Sequence, residues 1–249
     1  MTTMRHQRMA LTQDLVARTI RDIADAGLIP GTVPMTDDDY RQDARKLLEG
    51  APQGDLWFFG YGSLLWKPAS CAVAESRPAL VRGWHRAFCF RVMRFRGTPE
   101  QPGLMMALDR GGQCRGLAFR LPPDCVAAGL EALLRREMLV KAPLGHLPRW
   151  LAAETDRGPI RALGFVANRH GPRYAGRLHL NEVAEILARA AGHVGSGAQY
   201  LHETVARLEE LGIRDRNLWR LQALVAERIA ASVASCENAS NAEGASPPA

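Results

Sequence analysis

A glycine-rich turn after a buried apolar run is the first segment that could bind an anion. The run Leu56–Phe59 is wholly apolar and suits a buried strand, and it leads directly into Gly-Tyr-Gly-Ser-Leu at 60–64. Two glycines let a chain turn sharply and aim successive backbone N–H groups into one concavity, which can hold a carboxylate or a developing oxyanion. The donors would come from four residues: Tyr61, Gly62, Ser63 and Leu64. The alternative is a tight turn without a ligand, since Gly-x-Gly turns are common.

Glu137 is the carboxylate best placed to act as a general base. It stands near the end of a predicted helix that opens at Pro122 and is otherwise apolar along one face. A carboxylate at that position can be partly withdrawn from water and suits general acid–base catalysis. The alternative is an ion pair with Arg135, Arg136 or Lys141 on the surface, which contributes little to stability.

Two further side chains could contact an anionic ligand. Tyr200 follows a glycine-rich loop at the start of a predicted helix, where its phenol could donate to a carboxylate beside the exposed N–H groups of the helix end. Arg96 lies in a loop between predicted strands and could clamp an anion. The plainer alternatives are a half-buried packing tyrosine and a solvated turn arginine.

Other catalytic chemistries fit the sequence poorly. Ser63 lacks the Gly-x-Ser-x-Gly elbow, and His85 falls within a predicted strand, so a serine–histidine triad is disfavoured. The five cysteines are odd in number and form no Cys-x-x-Cys, and the seven histidines show no paired metal spacing. Cys89 and Cys114 lie in apolar runs. We therefore expect reduced, buried thiols and no metal.

The composition restricts the classes of partner. The chain has 249 residues, of which 47% are apolar, and a formal net charge of +6. Its 32 basic residues are spread along the chain without a basic cluster, so we expect no nucleic-acid partner. Its apolar runs are too short and too often interrupted by charge for a membrane span or a secretory signal. These features predict a cytoplasmic protein without a membrane partner, and we expect a monomer or weak dimer.

The order of predicted elements favours an α+β fold over a doubly wound sheet. Residues 1–54 form a helical extension, with one helix running past Ile23 towards Gly27 and a second running from the cap at Thr36 to Gly50. In residues 55–235, short strands precede and surround a central helix and further helices follow. The two strands after Gly103 are predicted to be separated by a Gly111-Gly112 turn. Residues 236–249 are expected to be a disordered tail.

Five segments together resemble the ChaC family, the glutathione-specific γ-glutamylcyclotransferases. They occur in the family's order and spacing and cover roughly residues 55–230. The matching segments are Phe59–Trp66, Gly83–Phe88, Arg96–Thr98 with Pro102-Gly103, Arg136–Met138 and Gly197–Leu201. One position departs, because Leu104 stands where the family often carries a basic residue.

The resemblance implies a fold, a substrate and roles for the site residues. It implies a small mixed β-barrel with flanking helices, in which the Tyr61–Leu64 turn cradles the γ-glutamyl group of glutathione. It also implies that Glu137 is the acid/base and, more loosely, that Tyr200 lines the pocket. The reaction closes the glutamyl α-amine onto its own side-chain carbonyl, giving 5-oxoproline and cysteinyl-glycine without a cofactor. Leu104 leaves open another γ-glutamyl amine or dipeptide as substrate, and a non-catalytic ligand-binding regulator is a further alternative.

Overall fold

The computed structural model describes residues 8–68, 73–141 and 145–243, with side chains as far as residue 233. A closed five-stranded barrel forms its centre, in the hydrogen-bonded order β1-β3-β2-β4-β5. The strands are β1 (Trp57–Gly60), β2 (Glu75–Val92), β3 (Gly103–Arg120), β4 (Leu147–Thr155) and β5 (Gly158–Val166). β1 pairs in parallel with β5, which closes the barrel, and antiparallel with β3. The predicted α+β barrel is confirmed.

Aromatic and branched side chains fill the barrel. Phe58, Phe59 and Phe165 are completely buried, as are Leu108 and Leu163. Such residues suit strands because their side chains pack well on a pleated surface, and a strand buried on both faces reads as a continuous apolar run. The short run predicted as a buried strand at the start of the domain is therefore β1, and its rigid packing sets the position of the turn that follows.

The predicted turn at Gly111-Gly112 is wrong. β3 continues through both glycines, which take φ of 101° and 66°, and remains paired with β2 on either side. The register shifts between Arg82 and Trp84 on the opposite strand, where Gly83 also has a positive φ of 79°. Glycines in left-handed conformations accommodate a bulge inside a long pair of strands. The two glycines that predicted a turn therefore mark a bulge within one hairpin.

Helices flank the barrel and precede it. They are α1 (Gln13–Ala17), α2 (Asp37–Glu49), α3 (Val126–Glu137), α4 (Leu180–Arg189), α5 (Gly197–Glu210) and α6 (Arg216–Glu243), with a two-residue hairpin of β6 (Ala191–Gly192) and β7 (Gly195–Ser196) before α5. α6 continues beyond the predicted boundary at residue 235, in keeping with the good helix propensity of its alanines. The remainder of the predicted tail, residues 244–249, lies outside the described residues.

The first predicted helix of the N-terminal extension is much shorter than expected. α1 ends at Ala17, and the chain then follows an irregular path to α2. Thr19 explains the early end, because its hydroxyl bonds the carbonyl of Val16 at 2.7 Å and the hydroxyl of Ser196 at 2.7 Å. Local side-chain bonds of this kind compete with helix continuation. α2 begins at the predicted cap, where Thr36 forms a reciprocal capping box.

The extension also pairs with the chain that follows α3. Pro34 and Val140 form an antiparallel bridge. The N–H of Met35 donates to Leu139 at 3.1 Å, and the N–H of Lys141 donates to Val33 at 2.9 Å. These bonds fix the backbone immediately after Glu137, so part of the extension supports the end of α3.

The described cysteine side chains divide by burial. Cys89 and Cys114 are buried, as predicted, and Cys125 is exposed. Burial raises the pKa of the Cys89 thiol to about 12 and also raises the pKa of Cys114. Cys71 lies outside the described residues, and the side chain of Cys236 is not described.

Alkylation of the folded protein should follow this division. Iodoacetamide at pH 8 is expected to modify Cys125 and to leave Cys89 and Cys114 intact until the chain is unfolded, because only a thiolate in contact with solvent reacts. Peptide mass spectrometry before and after unfolding measures the difference. Rapid modification of Cys89 in the folded protein would contradict the described burial.

Gly116 is predicted to be a position where alanine is not tolerated. A Cβ there would lie 2.2 Å from the carbonyl oxygen of Gly60 and 2.9 Å from the ring of Phe59. Gly116→Ala should lower the free energy of unfolding by about 1–3 kcal/mol, the usual cost of overpacking. Gly50→Ala is the matched control, since its Cβ would meet nothing nearer than 3.7 Å. Urea unfolding of both variants checks the prediction, and equal midpoints would refute it.

Candidate active site

Three elements converge at one end of the barrel. The ladder between β1 and β3 ends at the pair Gly60↔Leu117, and the chain then leaves the barrel through the predicted turn into a short 3-10 helix, Ser63–Leu65. The carboxyl end of α3 brings Glu137 to this turn, and the amino end of α5 brings Tyr200. The structure therefore brings together the segments that the sequence singled out separately.

The turn contacts the phenol of Tyr200. The N–H of Ser63 donates to Tyr200 Oη at 3.3 Å. Gly62 is required by space, because a Cβ there would lie 2.6 Å from the same oxygen. The second glycine of the motif thus allows the turn backbone to approach an aromatic hydroxyl closely.

Arg136 joins the turn to Glu137. Its Nη2 donates to Ser63 Oγ at 3.0 Å, and its Nε donates to Glu137 Oε1 at 3.2 Å. The Glu137 side chain is only 14% exposed, so its carboxylate is largely withdrawn from bulk water, and Arg136 links it to the turn. Arg135 and Lys141, the other predicted partners, instead pair with Asp37 and Asp39 of α2.

The negative charge of Glu137 affects the pKa of two buried tyrosines, Tyr61 and Tyr200. Burial first, and the negative charge of Glu137 second, raise the pKa of Tyr200 to about 12 and that of Tyr61 well above its usual range. Tyr61 donates its hydroxyl proton to the carbonyl of Phe165 at 2.7 Å. Both phenols are neutral at physiological pH. Tyr200 therefore keeps its hydroxyl proton.

Aromatic and cationic groups fix the ring of Tyr200. Trp66 and Phe88 meet it edge-on, with ring centroids 6.0 and 5.9 Å away. The guanidinium carbon of Arg96 lies 5.4 Å from its centroid. With contacts on several sides, the ring holds its hydroxyl at a fixed point beside the turn.

Arg96 is buried, unlike the solvated turn arginine that was the plainer expectation from the sequence. Its Nη1 donates to the carbonyl of Ser196 at 2.8 Å and to Gln199 at 3.2 Å. Burial lowers the pKa of its guanidinium. Arg96 thus secures the start of α5 and the ring of Tyr200, and its direct contact with a ligand stays a prediction.

His146 is a site residue that the sequence reasoning missed. Its Nδ1 lies 3.9 Å from Glu137 Oε2, and its ring packs on Phe90 with centroids 4.9 Å apart. No motif relates it to Glu137, because Glu137 ends α3 and His146 directly precedes β4. A histidine shortly after the candidate base was the only available signal.

The serine–histidine triad is not assembled. His85 Nδ1 lies 3.0 Å from the carbonyl of Gly111, at the exposed glycine bulge, whereas Ser63 bonds Arg136. Among the residues that the structure describes, no group of three or more His, Cys, Asp or Glu side chains could hold a metal ion. Within the same residues, no helix combines the length and apolar character needed to cross a bilayer.

Comparison with known proteins places the chain in a family. The sequence profile described as ChaC-like protein matches residues 56–228. The chain belongs to the ChaC-like family. The glutathione-specific γ-glutamylcyclotransferase of Escherichia coli K12 is 39% identical over 167 residues, which are 67% of this chain and 71% of that protein.

More distant members of the ChaC-like family extend the comparison. The glutathione-specific γ-glutamylcyclotransferase of Schizosaccharomyces pombe is 30% identical over 200 residues, which cover 72% of this chain and 96% of that enzyme. A crystal structure of a glutathione-specific γ-glutamyl cyclotransferase from yeast superimposes with a TM-score of 0.64 at 20% identity, covering 70% of this chain and 97% of that one. This superposition supports the fold.

The contact between Gly62 and Tyr200 can be tested by a double-mutant cycle. Gly62→Ala should destabilise the protein because its Cβ meets Tyr200 Oη. Tyr200→Phe removes that oxygen while keeping the ring contacts, so Gly62→Ala should cost less in the Tyr200→Phe background. A coupling of about 1 kcal/mol is expected from chemical unfolding of the four proteins. Strictly additive effects would show that the two groups do not meet.

Proposed function

We propose that this ChaC-like chain is a γ-glutamylcyclotransferase that converts glutathione to 5-oxoproline and cysteinyl-glycine, with Glu137 as general acid/base. The observation that carries the proposal is the position of the Glu137 carboxylate, which is held beside the glycine turn through Arg136 and Ser63. The names of the bacterial and fission-yeast relatives support glutathione as the substrate. A cytoplasmic location and a monomer or weak dimer belong to the same proposal.

The first requirement of the reaction is orientation. The α-amine of the glutamyl group attacks its own side-chain carbonyl, so nucleophile and electrophile belong to one molecule. A fixed cyclising pose can then supply several kcal/mol of the barrier. In the proposal, the backbone N–H groups of Tyr61–Leu64 and the hydroxyl of Tyr200 hold the glutamyl group in that pose or bind the oxyanion of the tetrahedral intermediate.

The second requirement is proton transfer. The α-amine is mostly protonated at neutral pH and cannot attack, and the cysteinyl amide nitrogen leaves only when it is protonated. In the proposal, the Glu137 carboxylate takes a proton from the ammonium and later gives one to the departing nitrogen, so that the carboxylate is regenerated. The ring nitrogen loses its second proton to water and becomes the lactam N–H. Arg136, bonded to one carboxylate oxygen, leaves the other oxygen to exchange the proton.

The position of Leu104 bears on whether γ-glutamyl substrates other than glutathione are expected. Leu104, the departure that left the substrate class open, is completely buried in the core. Its side chain offers no surface to a substrate, so it provides no reason to expect relaxed selection. Turnover of glutathione and of γ-glutamyl-alanine, measured on the same preparation, separates the two substrate classes.

Replacement of Glu137 tests the assignment directly. Glu137→Gln keeps the shape of the side chain and removes the ionisable group, so kcat for release of 5-oxoproline should fall at least ~100-fold. Glu131→Gln is the matched control, because it makes the same change on the same helix at a residue that pairs with Arg135 at 3.9 Å. The assay contains purified protein and glutathione, with no metal or nucleotide added.

Three results of this assay would count against the proposal. Retained turnover in Glu137→Gln would remove Glu137 from the acid/base role. Equal losses in Glu137→Gln and Glu131→Gln would indicate a general effect on the helix. Absence of 5-oxoproline with the unaltered protein would favour the alternative of a non-catalytic ligand-binding regulator.

A further inference from the structure

His146 is a buried histidine that the reaction scheme above leaves without a role. Its side chain is 13% exposed, and one face of its ring packs on Phe90. Its Nε2 is buried without a hydrogen-bond partner in the part of the chain that the structure describes. Its other nitrogen, Nδ1, points to Glu137. A buried polar ring with one nitrogen directed at the candidate catalytic carboxylate calls for an explanation.

The surroundings of the ring select one tautomer. Nδ1 faces the Glu137 carboxylate at 3.9 Å. A carboxylate only accepts hydrogen bonds, so a neutral ring is most stable with its proton on Nδ1. Nε2 then carries only a lone pair, and burying an unpaired acceptor costs less than burying an unpaired N–H donor.

The charge state of the ring agrees with this geometry. Among the described residues, the charged groups that act on it are Glu137 and Arg173, of opposite sign. Burial lowers the pKa of His146, and the Glu137 carboxylate opposes that shift without reversing it. The ring is therefore neutral near pH 7. A neutral ring can donate a hydrogen bond and cannot serve as the cation of a salt bridge.

We propose that His146 is a positioning residue that donates its Nδ1–H to one lone pair of Glu137 Oε2, leaves the second lone pair for the transferred proton and, with Arg136 on Oε1, fixes the orientation of the carboxylate in the reacting complex. The inference rests on the proposed acid/base role of Glu137. The separation of 3.9 Å is longer than a hydrogen bond, and bonds of this kind are often long in unliganded sites and shorten when substrate binds. No proton passes through His146 in this arrangement.

Three variants at this position separate the donor from the ring. His146→Phe keeps the aromatic contact with Phe90 and removes the donor. His146→Asn places an amide N–H near the position of Nδ1, and His146→Gln places one near that of Nε2. kcat should fall about 10- to 100-fold in His146→Phe, with KM changed less than threefold, because a misplaced catalytic group costs about this much. His146→Asn should recover most of the loss, and His146→Gln should not.

Two activity results would overturn the inference. One is a kcat within threefold of the unaltered protein in His146→Phe at an equal melting temperature. The other is an equal loss in His146→Phe and His146→Asn, because it would mean that an amide donor at the Nδ1 position does not substitute for the ring. Melting temperatures of all variants are measured alongside.

A second readout does not depend on turnover. Long-range ¹H–¹⁵N correlation spectra of the full chain should show His146 as the Nδ1–H tautomer, with a titration midpoint below that of an unperturbed histidine. Glu137→Gln should lower that midpoint further, since it removes the negative charge that favours the imidazolium. An Nε2–H tautomer, or a midpoint unaffected by Glu137→Gln, would refute the contact. If the unaltered protein made no 5-oxoproline, the proposed function would fail while this measurement still tested His146.

Discussion

The bridge that Arg136 makes between Ser63 and Glu137 is the interaction on which the site depends. A carboxylate that is 14% exposed needs a partner, and a turn of successive backbone donors needs a neighbour that keeps it in place. One guanidinium satisfies both needs, since its planar fork can bond two acceptors on different elements. The candidate base and the candidate anion-binding turn therefore lie side by side, although about seventy residues separate them in the chain (Ser63 and Glu137).

The rest of the fold supports this bridge from three directions. The barrel core holds β1, so the turn leaves the barrel at a fixed point beyond Gly60. Arg96, Trp66 and Phe88 fix the ring of Tyr200 on the other side of the turn. The N-terminal extension bonds the backbone on both sides of Val140, just after the end of α3. A role for the extension could not be assigned from sequence, because its contacts are backbone bonds formed across distant parts of the chain.

The sequence predicted the components of the site better than their connections. Glu137, the turn and Tyr200 each carried a local signal, namely a carboxylate at a helix end, two glycines after an apolar run, and a tyrosine after a glycine-rich loop. Their neighbours carried none. His146 has no sequence pattern that relates it to Glu137, and Arg96 looked like any loop arginine until its burial under Tyr200 was known. The two wrong elements share a cause, because Gly111-Gly112 and the residues after Ala17 have local patterns that tertiary contacts override.

The most direct test of the central claim is a crystal structure of the Glu137→Gln variant with glutathione bound. The account predicts that the γ-glutamyl amine lies within about 3.2 Å of the side chain of residue 137, the reach of a proton-transferring group. It also predicts backbone N–H groups of Tyr61–Leu64 directed at the glutamyl carboxylate or carbonyl oxygen. A glutamyl group bound away from this turn, with its amine facing solvent, would contradict the account.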